Sequence, residues 1–125
     1  MTLRINKNTV IPESNTVQDL KIDILSRLPY NLRIVHNDTL YNADTYDAGQ
    51  IVLRGHAYAF RVSVKFVKPL LRRMNSMTKE EKIEYETLLT NATVDGEVWK
   101  VTDWLNRNMF DYRGLIDDGM AVEII

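Results

Sequence analysis

Between residues 60 and 66 apolar and polar side chains alternate without interruption. Phe60, Val62, Val64 and Phe66 fall on one side, and Arg61, Ser63 and Lys65 on the other. Period two over seven residues, with aromatic and β-branched residues on the apolar side, predicts a half-buried β-strand. Pro69 is expected to close it. One such strand cannot bury its own apolar face, so the rest of the chain must supply a sheet around it and a layer over it. Leu32 to Val35 reads as a second strand. It is followed by a turn at Asn37-Asp38 and a return beginning at Thr39-Leu40-Tyr41. Asp47-Ala48-Gly49 marks another turn, and Ile51-Val52-Leu53 is a short apolar run broken by Gly55. Residues 1–11, with Leu3, Ile5, Val10 and Ile11, read as a short strand. Met120 to Ile125 reads as the last one.

The covering layer is helical. Thr16 can cap a helix whose third position is Asp19, and Val17, Leu20, Ile24 and Leu28 then recur at helical spacing with Leu25 beside them. Leu28-Pro29 ends it, because a residue before proline is pushed out of the α region. Thr78-Lys79-Glu80-Glu81 is a capping box. The helix it opens carries Ile83, Tyr85, Leu88 and Leu89 and is expected to fray near Thr90-Asn91. After Asp95-Gly96, the spacing of Val98, Val101, Leu105 and Met109, with Trp104 at its flank, predicts a third helix that Asn108 can stop. The expectation is an α+β fold, a small and mainly antiparallel sheet with about three helices packed on it. At 125 residues a single domain over 1–125 is expected.

Composition removes whole classes of chemistry. There is no cysteine, so disulfides, thiolate zinc sites, iron–sulfur clusters and cysteine nucleophiles are excluded. No stretch approaches the length of a membrane helix, and the N-terminus lacks a signal-type apolar run. A cytoplasmic location without a membrane partner is expected. His36 and His56 are the only histidines, each beside a turn and without a nucleophile at a recognised spacing. No phosphate loop, nucleophile elbow or dinucleotide fingerprint occurs. Asp111, Asp117 and Asp118 lie near Gly114 and Gly119, but their spacing matches no calcium loop and reads as turn formation. No catalytic residue, metal or cofactor is expected.

Charge is segregated along the chain although the total is only -1. Residues 1–47 sum to -1, residues 48–79 to +7 with no acid at all, and residues 80–125 to -7. Either the basic and acidic stretches fold against each other, or the basic stretch meets an anionic partner. A pI near 6.1 is low for a nucleic-acid-binding domain and favours internal neutralisation. The candidates for partner binding are Arg54, Arg61, Lys65, Lys68, Arg72 and Arg73. Trp99 joins them, because it stands off the apolar stripe of its helix.

Three segments carry a resemblance. They are Leu28-Pro29-Tyr30-Asn31-Leu32-Arg33-Ile34, then Lys68-Pro69-Leu70-Leu71-Arg72-Arg73-Met74-Asn75-Ser76-Met77-Thr78, and then Asp103-Trp104-Leu105 through Phe110-Asp111-Tyr112-Arg113-Gly114-Leu115-Ile116 with Gly119-Met120-Ala121. In that order they resemble a family of small phage and prophage proteins of Bacteroides-type gut bacteria, from about residue 17 to the end. The resemblance implies a phage or mobile-element origin and a bacterial host cytoplasm, and it implies no activity. Two positions depart from the family pattern. Met109 stands where a histidine often precedes the Phe-Asp pair, and Arg73 replaces the second proline of the connector. The expected function is that of a non-enzymatic accessory protein acting by protein–protein binding. The alternative is a nucleic-acid-associated factor using the basic segment 54–73.

Overall fold

Thr16 does cap the first helix, α1 (Val17–Arg27). Its hydroxyl accepts from the Asp19 N–H while the Asp19 carboxylate accepts from the Thr16 N–H, a reciprocal capping box. The structure is a computed structural model that describes residues 16–124; the strand expected over 1–11 and the terminal Ile125 lie outside the described residues. Leu20 and Ile24 of α1 are buried, and the chain leaves the helix through a 3-10 turn at Leu28–Tyr30.

Six strands follow: β1 (Arg33–His36), β2 (Thr39–Asp47), β3 (Gln50–Arg54), β4 (Ala59–Ser63), β5 (Lys68–Leu71) and β6 (Val122–Glu123). They lie in the order β4-β3-β2-β1-β5-β6, antiparallel except for the parallel β5–β6 pair. The two expected hairpin turns form. Asn37 and Asp38 both take positive φ, as do Ala48 and Gly49, which gives turns whose twist matches the strands they join. Ile34, Tyr41, Leu53 and Phe60 point to one face of the sheet, where they pack with α1, Leu71, Leu115 and Ala121.

The alternating segment is shorter than its pattern predicts. β4 ends at Ser63, and Val64–Phe66 form a 3-10 turn. Phe60 and Val62 are half-buried and Val64 is buried, but Phe66 is 62% exposed. The Val64 N–H still donates to Gly49 O, the last bond alongside β3, and the turn then closes locally through the Val67 N–H to Val64 O bond. Pro69 does not close β4, which has already ended at Ser63. It lies inside β5, buried and paired with Ile34. The two neighbours of β5 are offset along it, β1 meeting residues 68–69 and β6 residues 70–71, so the proline flanks β1 alone.

Helices α2 (Lys79–Asp95) and α3 (Val98–Arg107) form a hairpin beyond the β5–β6 end. The Thr78 capping box is present. The helix does not fray at Thr90-Asn91. Ala92 is buried against α3, and the helix runs on to Gly96, whose left-handed backbone ends it with an N–H bond to Ala92 O. Trp104 stacks between Tyr85 of α2 and Phe110, with ring centroids 5.8 and 5.5 Å away. Val101 and Leu105 are buried beside it, whereas Val98, in the first turn, is exposed.

Candidate functional site

The segment after α3 seals the molecule. Phe110 is buried and joins Arg72 in a parallel bridge. Asp111 closes the loop after it, its carboxylate accepting the N–H groups of Leu115 and Ile116 at 2.9 Å. This is the local capping by Asp that the turn reading expects. Arg113 takes a different role and reaches Asp23 of α1 at 2.6 Å. Asp23 is buried and also holds Arg27 in a two-point contact at 2.9 and 3.0 Å, and Arg27 donates to Phe110 O at 2.7 Å. The aromatic ring of Tyr112 stands over both arginines. Nothing in the spacing of α1 singles out Asp23 or Arg27 as buried; only their i,i+4 relation is visible in the sequence.

The basic residues do not form one patch. Arg54 pairs with Asp44, and Arg61 pairs with Asp47 at 3.5 Å, both on exposed strand positions. Arg72 grips Glu81 with two bonds of 2.7 and 2.8 Å and lies 4.2 Å from the Phe110 ring centre. That grip, ahead of the bonds from Thr78, holds the Glu81 carboxyl down at about 2. Arg73 bridges Asp117 at 2.7 Å and Glu123 at 3.0 Å. Lys65 belongs to the turn after β4, so it does not share a strand face with Arg61; it lies over the Phe66 ring. Lys68 is exposed in β5, opposite Val35. The acidic third therefore neutralises Arg72 and Arg73, while the acids of β2 neutralise Arg54 and Arg61.

Neither histidine faces a nucleophile among these contacts. His36 Nδ1 lies 3.1 Å from Phe66 O, and His56 is exposed in the β3–β4 loop. Among the described residues no group of three or more His, Asp or Glu side chains is placed to hold a metal ion, and no helix is long and apolar enough to cross a membrane.

Apolar surface concentrates on the α2–α3 hairpin. Tyr85, Leu88 and Ala92 form the inner row of α2 against Trp104 and Phe110. A second row, Ile83, Thr87, Thr90 and Val94, recurs at steps of four, three and four on the opposite side, and all four residues are exposed. The hydroxyls of Thr87 and Thr90 donate to the carbonyls of Ile83 and Glu86, at 2.9 and 3.0 Å. Satisfied within the helix, they leave the methyl groups as the free part of each side chain. Val98 and Trp99 at the start of α3 are exposed too, Trp99 at 64%. Trp99 also borders a cleft of about 340 Å3 shared with Leu88 and Arg107.

No protein-family model matches the chain, and neither curated proteins nor solved structures provide a match.

Proposed function

We propose that this chain is an accessory protein of phage type that works by binding another protein rather than by catalysis, and that the α2–α3 hairpin is the surface it uses. The carrying observation is the double-sided apolar character of α2. A surface helix ordinarily has one apolar stripe and a polar outer face. Here the inner row is already filled by α3, and the outer row of Ile83, Thr87, Thr90 and Val94 has no carboxylate or ammonium within it. Trp99, at the start of α3, is exposed as well, and tryptophan is among the residue types enriched at the anchors of protein interfaces. The pairing of Arg54, Arg61, Arg72 and Arg73 with carboxylates supports a protein partner over a nucleic acid.

The test uses the whole chain immobilised and exposed to nuclease-treated lysate of a Bacteroides-type host. A variant carrying Ile83→Glu, Val94→Glu and Trp99→Glu is expected to melt as the parent does, since all three positions are exposed, and to lose the captured partner. Retention of the same partner by that variant, or capture only when nucleic acid is left intact, refutes the proposal.

A further inference from the structure

The face of the sheet turned away from α1 holds a second surface, unrelated to the hairpin. Pairing in register brings Arg33 of β1, Asn42 of β2 and Arg54 of β3 into one cross-strand row. Adjacent strands stand roughly 4.8 Å apart, so the two arginine backbones lie about 10 Å from each other with Asn42 between them. Gly55 and His56 continue from Arg54. With Leu40, these residues line a cleft of about 310 Å3. The loop bearing His56 is held in place. The Gly55 N–H donates to Tyr58 O at 2.8 Å, and Gly55 lies close against the Tyr41 ring, where an added Cβ would stand 3.4 Å away.

Arg33 is the exception among the described arginines. Every other described arginine engages a carboxylate; Arg33, among the described residues, engages none. Arg54 spends one Nη on Asp44, which fixes its position and leaves the remainder of its donor fork. With Asp44 counted, the row keeps one net positive charge in a concave, partly apolar setting.

The geometry points to an anion-binding site for the phosphate group of a small ligand, held between Arg33 and Arg54 with Asn42 and His56 as further donors. A carboxylate offers two oxygens in one plane, which a single arginine fork can meet from one side. A phosphate offers three terminal oxygens in different directions, which suits donors arriving from separate strands. The cleft is larger than a bare phosphate, and Leu40, 46% exposed, gives an apolar wall for the organic part of an ester.

Isotope-labelled protein titrated with inorganic phosphate, against sodium chloride at matched ionic strength, tests the site by amide chemical shifts. Saturable shifts at Asn42, Gly55 and His56 are expected with phosphate and not with chloride. Arg33→Gln should weaken phosphate binding about tenfold, as loss of one charge-assisted contact does. Arg61→Gln, on the same sheet face but outside the cleft, should change it by less than about twofold. Both positions are exposed, so both variants should keep the parent spectrum elsewhere. A single-stranded oligonucleotide titrated in parallel separates free phosphate from a nucleic-acid backbone. Absence of saturation by phosphate, equal shifts with chloride, or equal weakening by Arg33→Gln and Arg61→Gln overturns the site. So does oligonucleotide binding without phosphate binding.

Discussion

Lowering the pH should unlock α2 from the sheet through one residue, Glu81. Its carboxylate takes two bonds from Arg72 at 2.7 and 2.8 Å and one from the Thr78 N–H at 2.9 Å. In the folded protein these contacts hold its pKa at about 2, against an ordinary value of 4.5. A group whose pKa is depressed by folding stabilises the fold above its unfolded value, and that stabilisation fades as pH falls toward the folded value. The window therefore runs from about pH 4.5 down to about pH 2. At 1.36 kcal/mol per pH unit the full effect is roughly 3 kcal/mol. Both side chains keep some solvent access, 25% for Arg72 and 21% for Glu81, so screening reduces the expected value to about 1–2 kcal/mol. Glu81→Gln keeps the size and an acceptor for the Thr78 N–H but removes the titration. Urea unfolding followed by circular dichroism at steps between pH 7 and pH 2 gives the comparison. The parent should lose its advantage over Glu81→Gln within the window, and the two should converge near its lower end. A stability gap that stays constant from pH 7 to pH 2 refutes the assignment of the pH dependence to this pair.

Three further outcomes are expected. Val64→Asp should prevent folding, because it buries an unpaired charge, whereas Phe66→Asp should melt within a few degrees of the parent; equal damage from both would contradict the turn at Val64–Phe66. Asp23→Ala should cost about 3–5 kcal/mol in urea unfolding, since it leaves Arg27 buried without its carboxylate and removes the anchor of Arg113; a loss below about 1 kcal/mol would show that the cluster is not needed for stability. Thr78→Ala should cost about 0.5–2 kcal/mol while Thr78→Ser stays near the parent, and equal loss from both would assign the effect to the methyl group instead of the capping hydroxyl.

What the chain reveals without its fold is everything governed by neighbours close in sequence. Both capping boxes, the turns at Asn37-Asp38 and Ala48-Gly49, and the glycine turns at Gly114 and Gly119 depend on a few consecutive residues, and they form where the sequence places them. The α+β class follows from the same local periods. That Trp99 stands off the Val101–Leu105 stripe of its own helix is legible too, whereas its exposure is set by the fold. The failures occur where a distant partner decides. The alternation through Phe66 reads as strand, yet the partner strand β3 begins only at Gln50, so past the Val64 N–H to Gly49 O bond β3 has no residue left to pair with the segment. Pro69 reads as a terminator, yet offset neighbours let it sit within β5. Charge counted along the chain places Arg33 in a nearly balanced stretch and gives no reason to notice it. Strand pairing then sets Arg33 across from Asn42 and Arg54, and three acids of its own stretch serve other arginines: Asp23 serves Arg27 and Arg113, Asp44 serves Arg54, and Asp47 serves Arg61. A charge count is a sum over sequence, whereas pairing is decided by distances of a few ångströms between strands and helices far apart in the chain. Only the tertiary structure sets those distances, and so only it determines which cations are satisfied and which remain open to a ligand.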